Sequence, residues 1–324
     1  MNQQSFEIQN RERWGEIDRL TKVLESQRHV REAAALPSLY RQLCADIALA
    51  QHRMYGARLC AELNERLIRC RRVLAKSDER AGRGFAKLML QDFPRAVRRN
   101  ARLFWLGMLL FFGPMILMVI ASYLEPRWIF SVLGPQETGM MDALYGKDES
   151  TDLLRSEFGS DFEMFGFYVM NNISIGLRTA ATGLFAMVGS MVTLGYQGVV
   201  IGAMEGYVHY AGNTARFYAF VAGHSAFELT GIVICGVAGM RLGQAVLKPG
   251  QLTRGAALAT AGKRALPLLY GGALLIFFAA FIEGFWSAGP ASPQVKHMVG
   301  IVNAAGLAAY LYFCGRKGEG EDEA

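Results

Sequence analysis

The chain changes character near residue 100. Before it, apolar side chains recur at helical spacing in a polar, arginine-rich background. After it, they merge into runs near the 20 residues that span a hydrocarbon core about 30 Å thick. In the first part Trp14, Ile17, Leu20 and Leu24 mark one helix. Pro37 opens a second with Leu39, Tyr40, Leu43, Ile47 and Met54 on one face, and Leu59, Leu63, Leu67, Cys70 and Leu74 mark a third. The stripes predict a helical hairpin with one further short helix, buried by internal packing or by a coiled-coil partner. In residues 83–100, Phe85, Leu88, Leu90, Phe93 and Val97 alternate with Lys87, Arg95, Arg98 and Arg99. This is the pattern of a helix at the cytoplasmic headgroup layer, bent toward the bilayer by Pro94.

The apolar runs predict spans at 101–123, 164–176, 183–204, 217–240, 266–286 and 295–314. Charge orients them. The connection 124–163 holds Glu125, Glu137, Asp142, Asp148, Glu149, Asp152, Glu157, Asp161 and Glu163 against Arg127, Lys147 and Arg155, and belongs outside. The stretch 241–264 holds Arg241, Lys248, Arg254, Lys263 and Arg264 with no acid, and belongs inside. The region 164–204 must then cross an even number of times, as two full spans or as a re-entrant pair. The expected fold is an all-α polytopic membrane bundle of about six crossings. It comprises a cytosolic helical domain (1–100), a transmembrane domain (101–315) and an acidic cytosolic tail (316–324). The expected location is the inner (cytoplasmic) membrane, multi-pass, with both termini in the cytoplasm.

Composition adjusts this picture only slightly. Of 324 residues 52% are hydrophobic and 19% charged, with a net charge of +6. Most of the positive excess precedes the first span, so it reads as positive-inside accumulation rather than a nucleic-acid surface, for which no recognisable module is present. The five cysteines lack metal-ligand spacing, and three fall in the predicted cytosolic part. Neither disulfides nor zinc, and no cofactor, are expected. The N-terminus lacks a short apolar signal region, so the first span is expected to serve as an uncleaved anchor. Gly198, Gly202 and Gly206 recur every fourth residue and Gly239 and Gly243 repeat the spacing, which reads as close helix packing within one chain or between copies. A homo-oligomer, a dimer among the options, is expected on that basis.

The candidate chemistry lies inside the apolar half. His224 and Glu228 stand four residues apart, and Glu283 follows in a later run. A charged side chain at the bilayer centre costs about 2.5–3.5 kcal/mol, so such groups face a bundle interior, a wet cavity or each other. His224 is expected about seven residues, roughly 10 Å, below the outer end of its span. Asn171, Asn172, Gln197, Glu228 and Glu283 are expected in the same outer half. Three readings stay open: interhelical glue, a protonatable or cation-binding site open to the outside, and an intramembrane metallohydrolase. The last lacks the HExxH helix, and no GxSxG elbow, P-loop or dinucleotide fingerprint occurs in a fitting context.

Several segments together resemble the stage II sporulation protein M family. In the polar part these are Trp14, Leu39-Tyr40-Arg41, Asp46-Ile47-Ala48 and Leu63-Asn64. In the apolar part they are Asn171-Asn172, Leu194-Gly195-Tyr196-Gln197-Gly198-Val199-Val200-Ile201-Gly202, Gly223-His224-Ser225-Ala226-Phe227-Glu228-Leu229 and Phe281-Ile282-Glu283-Gly284. Gln197 stands where the family usually has asparagine, and Ser225 where it has glycine. The resemblance implies a multi-pass component of cell-envelope machinery, and the expected role is a non-catalytic scaffold within such a complex. It also implies partners such as an AAA+ ATPase or a peptidoglycan hydrolase. A proton- or cation-coupled transporter or channel subunit using His224, Glu228 and Glu283 is the alternative.

Overall fold

The computed structural model describes residues 2–26, 35–145 and 159–316. Among them all regular structure is helical. The centre of the acidic connection, with Lys147, Asp148, Glu149, Asp152, Arg155 and Glu157, lies outside the described residues, as does the tail from Lys317 onward. Two compact units, Met1–Ala86 and Lys87–Ala324, are described in turn.

The first unit contains α1 (Gln3–Ser26), α2 (Leu36–His52) and most of α3 (Ala57–Lys87). Pro37 stands in the first turn of α2, where its missing N–H costs nothing. Trp14, Ile17, Leu20, Leu43, Ile47, Leu59, Leu63 and Cys70 form the core, joined by Phe6, Leu36 and Ala50. Met54 is the exception to the predicted stripe. It falls beyond the end of α2 at φ 54° and is 90% exposed, while Tyr55 turns in against Phe6 with ring centroids 5.4 Å apart. Buried Asp46 ties α1 to α2, accepting from Arg13 at 2.7 and 2.6 Å and from the Trp14 indole at 2.9 Å.

The second unit starts with a π turn (Leu88–Asp92), α4 (Phe93–Arg99), α5 (Ala101–Leu124), α6 (Arg127–Phe130), α7 (Pro135–Tyr145) and α8 (Asp161–Ala181). A 3₁₀ turn (Thr182–Leu184), α9 (Val188–Ala211), α10 (Thr214–Val221) and α11 (Ser225–Leu247) follow. The unit continues with α12 (Arg254–Ile282), a second π turn (Glu283–Ser287) and α13 (Pro293–Phe313). Three helices of the described residues are long and apolar enough to cross a membrane: α5, α11, and α12 with its π turn. The most apolar stretch of α11 is 61% buried against 17% for α5, so α11 is the central helix and α5 lies at the periphery.

Three sequence expectations are altered here. The basic segment before α5, read from the sequence as the end of the N-terminal domain (1–100), packs within the second unit from Lys87 onward. Phe93 and Val97 are buried in that unit's core, Phe93 lying against Gly271, whereas Phe85 and Leu90 are exposed. Arg95 donates to the Gly315 carbonyl at 2.5 Å and Arg98 to the Leu311 carbonyl at 2.6 Å. The two guanidinium groups thereby cap the C-terminal end of α13.

The predicted span 217–240 is not one helix. The chain breaks between α10 and α11, at Ala222 to His224, and the Asn303 amide donates to the Gly223 carbonyl at 2.8 Å. An acceptor freed inside an apolar bundle is satisfied by a side chain from α13, which makes the break tolerable.

The glycine spacings serve two different partners. A methyl group at Gly198 would lie 2.1 Å from the Phe111 carbonyl and one at Gly202 2.4 Å from that of Met115, so α9 and α5 touch backbone to backbone. Gly206 continues the seam against Ser122. Gly239 and Gly243 of α11 instead receive the turn between α8 and α9. A methyl at Gly243 would meet the Met187 nitrogen at 2.0 Å and the Gly183 carbonyl at 2.2 Å. That turn carries Ala186 and Met187 at φ 53° and 68°, a left-handed conformation that L side chains adopt at a cost of about 1–2 kcal/mol per residue.

Candidate functional site

The break before α11 and the π turn after α12 create the site. His224 is the residue preceding α11, and its carbonyl accepts from the Glu228 backbone N–H at 3.1 Å, which keeps the two side chains one turn apart on one face. In the π turn the extra residue per turn re-aims side chains, a feature common at functional sites. Here it turns both Glu283 and Ser287 toward the imidazole. Ser287 Oγ lies 3.0 Å from His224 Nδ1. On the other edge of the ring, Nε2 lies 3.8 Å from Glu228 Oε2 and 3.9 Å from Glu283 Oε1.

Further groups complete the site. The Asn172 amide, from α8, donates to Glu283 Oε2 at 3.3 Å, and Asn171 donates to Asn172 Oδ1 at 2.9 Å. The Lys296 ammonium, from α13, donates to the Ser287 carbonyl at 2.7 Å. Asn172, His224, Glu283, Ser287 and Lys296 are buried, whereas the Glu228 side chain keeps 18% of its surface open. Four chain segments are thus joined through polar groups: α8, the α10–α11 break, the end of α12 and the start of α13.

The acidic connection reaches the same place. Tyr145, the last residue of α7, packs on Phe217 and Phe220 of α10, and Phe220 meets the His224 ring edge-on at 5.6 Å. Burial, with smaller contributions from Glu283 and Glu228, holds the Tyr145 phenol above its ordinary range. A cavity of about 320 Å³ opens beside it, lined by Tyr145, Arg216, Phe220, Ser287 and Lys296 among others, so Ser287 stands between this cavity and the imidazole.

Of the residues singled out from sequence, Asn172, His224, Glu228 and Glu283 converge. Asn171 is exposed and reaches the group only through its neighbour. Gln197 is on α9 next to the α5 seam, and among the described residues it makes no hydrogen bond to the site. His224, one nitrogen of which can bind a metal, joins Glu228 and Glu283 in a set whose donor atoms all lie within 4.8 Å of one another.

A family model described as Stage II sporulation protein M matches residues 108–288, which include every one of these residues except Lys296. The chain belongs to the stage II sporulation protein M family. A second model, described as Domain of unknown function (DUF8413), matches residues 4–76, in the first unit. No curated protein and no solved structure matches the chain. The family match covers Asn172, His224, Glu228, Glu283 and Ser287, so the site is part of the family's own domain.

Ser287 and Lys296 are the members that sequence reasoning missed. Ser287 left a signal, since it follows Glu283 by four residues on the same helix end, whereas Lys296, at the very end of a predicted span, reads as an ordinary snorkelling lysine.

Proposed function

We propose that the protein is a non-catalytic, multi-pass scaffold of a cell-envelope complex, with the His224–Glu228–Glu283 group as the polar hub of its membrane part. The observation that carries this reading is the chain of contacts from Asn172 through Glu283, His224 and Ser287 to Lys296, which ties four segments together at 2.7–3.9 Å. Polar groups that satisfy one another between helices hold a bundle in one arrangement.

In this reading α8, α9 and α13, of 21, 24 and 21 residues, join α5, α11 and α12 as crossings. At about 1.5 Å per residue each reaches the ~30 Å of a bilayer core. Positive charge before α5 and between α11 and α12 puts the N-terminal helices, the α11–α12 connection and the C-terminus in the cytoplasm, and the acidic segment outside. The wide apolar face of α5, with Trp105, Leu109, Ile116 and Leu117 exposed, is offered to lipid, to a second copy or to a membrane partner such as an envelope ATPase or peptidoglycan hydrolase complex.

In-membrane cross-linking at native expression level, followed by mass spectrometry, tests the scaffold. Recovery of an ATPase or a hydrolase with the wild type, and its loss with the Glu228→Gln, Glu283→Gln double variant, is expected. Recovery of only the protein's own chain in both samples would sink the reading. It would favour a transport subunit, for which the remaining exposure of Glu228 speaks, and proteoliposome flux would then be measured.

A further inference from the structure

We infer that His224, Glu228 and Glu283 form a binding site for one first-row divalent cation of the zinc type. The argument starts from an imidazole nitrogen. The His224 side chain is 4% exposed, and its Nε2 makes no hydrogen bond; it points between two carboxylate oxygens at 3.8 and 3.9 Å. Those distances are too long for hydrogen bonds and nearly equal. Donors held about 2.0–2.2 Å from a common zinc ion stand about 3.3–3.6 Å apart. The imidazole and each carboxylate therefore need to close by only a few tenths of an ångström to share one ion, and the two carboxylates, whose donor oxygens lie within 4.8 Å of each other, by up to about 1.5 Å.

The surroundings are those of a ligating histidine. A metal-bound imidazole almost always gives its other nitrogen to a fixed partner, which sets the tautomer and the ring plane. Ser287 Oγ, itself buried, occupies that position at 3.0 Å from Nδ1, and Glu283 is steadied in turn by the Asn172 amide at 3.3 Å. Two carboxylates, a neutral imidazole and a dication sum to zero net charge, the cheapest total in a low-dielectric interior. A mixed imidazole–carboxylate set suits zinc and its neighbours, whereas calcium and magnesium favour larger all-oxygen shells. Three protein donors leave a tetrahedral position for water, and the partial exposure of Glu228 provides a way in. The three donor residues are visible in the sequence, without an HExxH helix, but their convergence on one point is not, because the third ligand arrives from a helix end more than fifty residues away.

The test uses the full-length protein in lipid nanodiscs, stripped with a chelator and titrated with Zn²⁺ against a chromophoric competitor. Co²⁺ serves as the spectroscopic substitute. We expect saturation at one Zn²⁺ per chain, and Co²⁺ d–d absorption without a thiolate charge-transfer band. In Ser287→Ala, which keeps all three ligands, binding should weaken ten-fold or more. In Glu228→Gln with Glu283→Gln the stoichiometric binding should vanish. Failure of the wild type to take up either ion would overturn the site, and this outcome needs no variant to fold. Undiminished binding by the double variant, or a thiolate band that places the ion on cysteine, would overturn it equally. The scaffold reading stands or falls on partner recovery, whichever way the titration comes out.

Discussion

Ser287 Oγ lies 3.0 Å from His224 Nδ1, although one residue ends α12's π turn, the other precedes α11, and they are 63 positions apart in the chain. The contact fixes the ring so that its other nitrogen faces Glu228 and Glu283. It exists because a π turn ends α12 and a break precedes α11, two local irregularities that meet.

Removing that hydroxyl leaves a buried ring nitrogen without a partner. Ser287→Ala should lower stability by about 1–3 kcal/mol, the cost of an unsatisfied buried polar group. Unfolding in mixed micelles with increasing SDS, followed by tryptophan fluorescence, measures the loss. A variant as stable as the wild type would show that the contact contributes nothing.

Glu283 should separate hydrogen bonding from charge. In Glu283→Gln the side-chain carbonyl can still accept from Asn172, so the change in stability should stay within about 1 kcal/mol, whereas Glu283→Leu strands the buried Asn172 amide and should cost about 1–3 kcal/mol. The same unfolding series compares them. Equal losses for both variants would mean that the carboxylate acts through something other than this bond.

The α5–α9 seam supplies a pair of alanine substitutions with opposite outcomes. At Gly198 the new methyl would meet the Phe111 carbonyl at 2.1 Å, whereas at Gly195 it would sit 3.7 Å from the Leu110 carbonyl, an ordinary contact. Gly198→Ala should destabilise by about 1–3 kcal/mol through overpacking, and Gly195→Ala by less than about 0.5 kcal/mol. Melting temperatures in detergent, read for both on the same day, decide it. Tolerance at Gly198 would contradict the close backbone approach.

In the first unit, burial raises the Cys70 thiol above its ordinary range, against which a contact with Thr21 works in the opposite direction. Less thiolate is therefore present at any given pH, and Cys70 should alkylate far more slowly at pH 8 than half-buried Cys44 and Cys60. The sign for stability follows. The folded unit holds this proton more tightly than the unfolded chain, so its contribution is complete below about pH 8.5, where an unfolded thiol ionises, and falls as the pH rises beyond that. Maleimide labelling with peptide mapping reads the first, and denaturant midpoints at pH 7 and 9.5 read the second. Equal labelling of the three cysteines would refute the burial argument.

What the order of residues determines here is whatever depends on local periodicity and on the cost of placing charge. The polar-to-apolar change near residue 100, the helical stripes of Ile17, Leu43 and Leu63, and the three long apolar helices all follow from 3.6-residue spacing and from burial energetics that operate within one segment. So does the suspicion attached to His224, Glu228 and Glu283, since ionisable groups in an apolar run are too costly to be idle. Contacts between distant segments were not legible. Nothing in the periodicity announced that Phe93 would seat on Gly271, that Gly243 would receive a turn rather than a helix, or that Asn171 would point away while Asn172 points in. Those outcomes depend on where the chain breaks before α11 and where α12 widens into a π turn. Both are paid for by partners from elsewhere: Asn303 on the freed Gly223 carbonyl, and Ser287 and Lys296 around the imidazole. A helix can be irregular in an apolar bundle only if another segment satisfies the groups it frees, and which segment does so is a property of the folded chain.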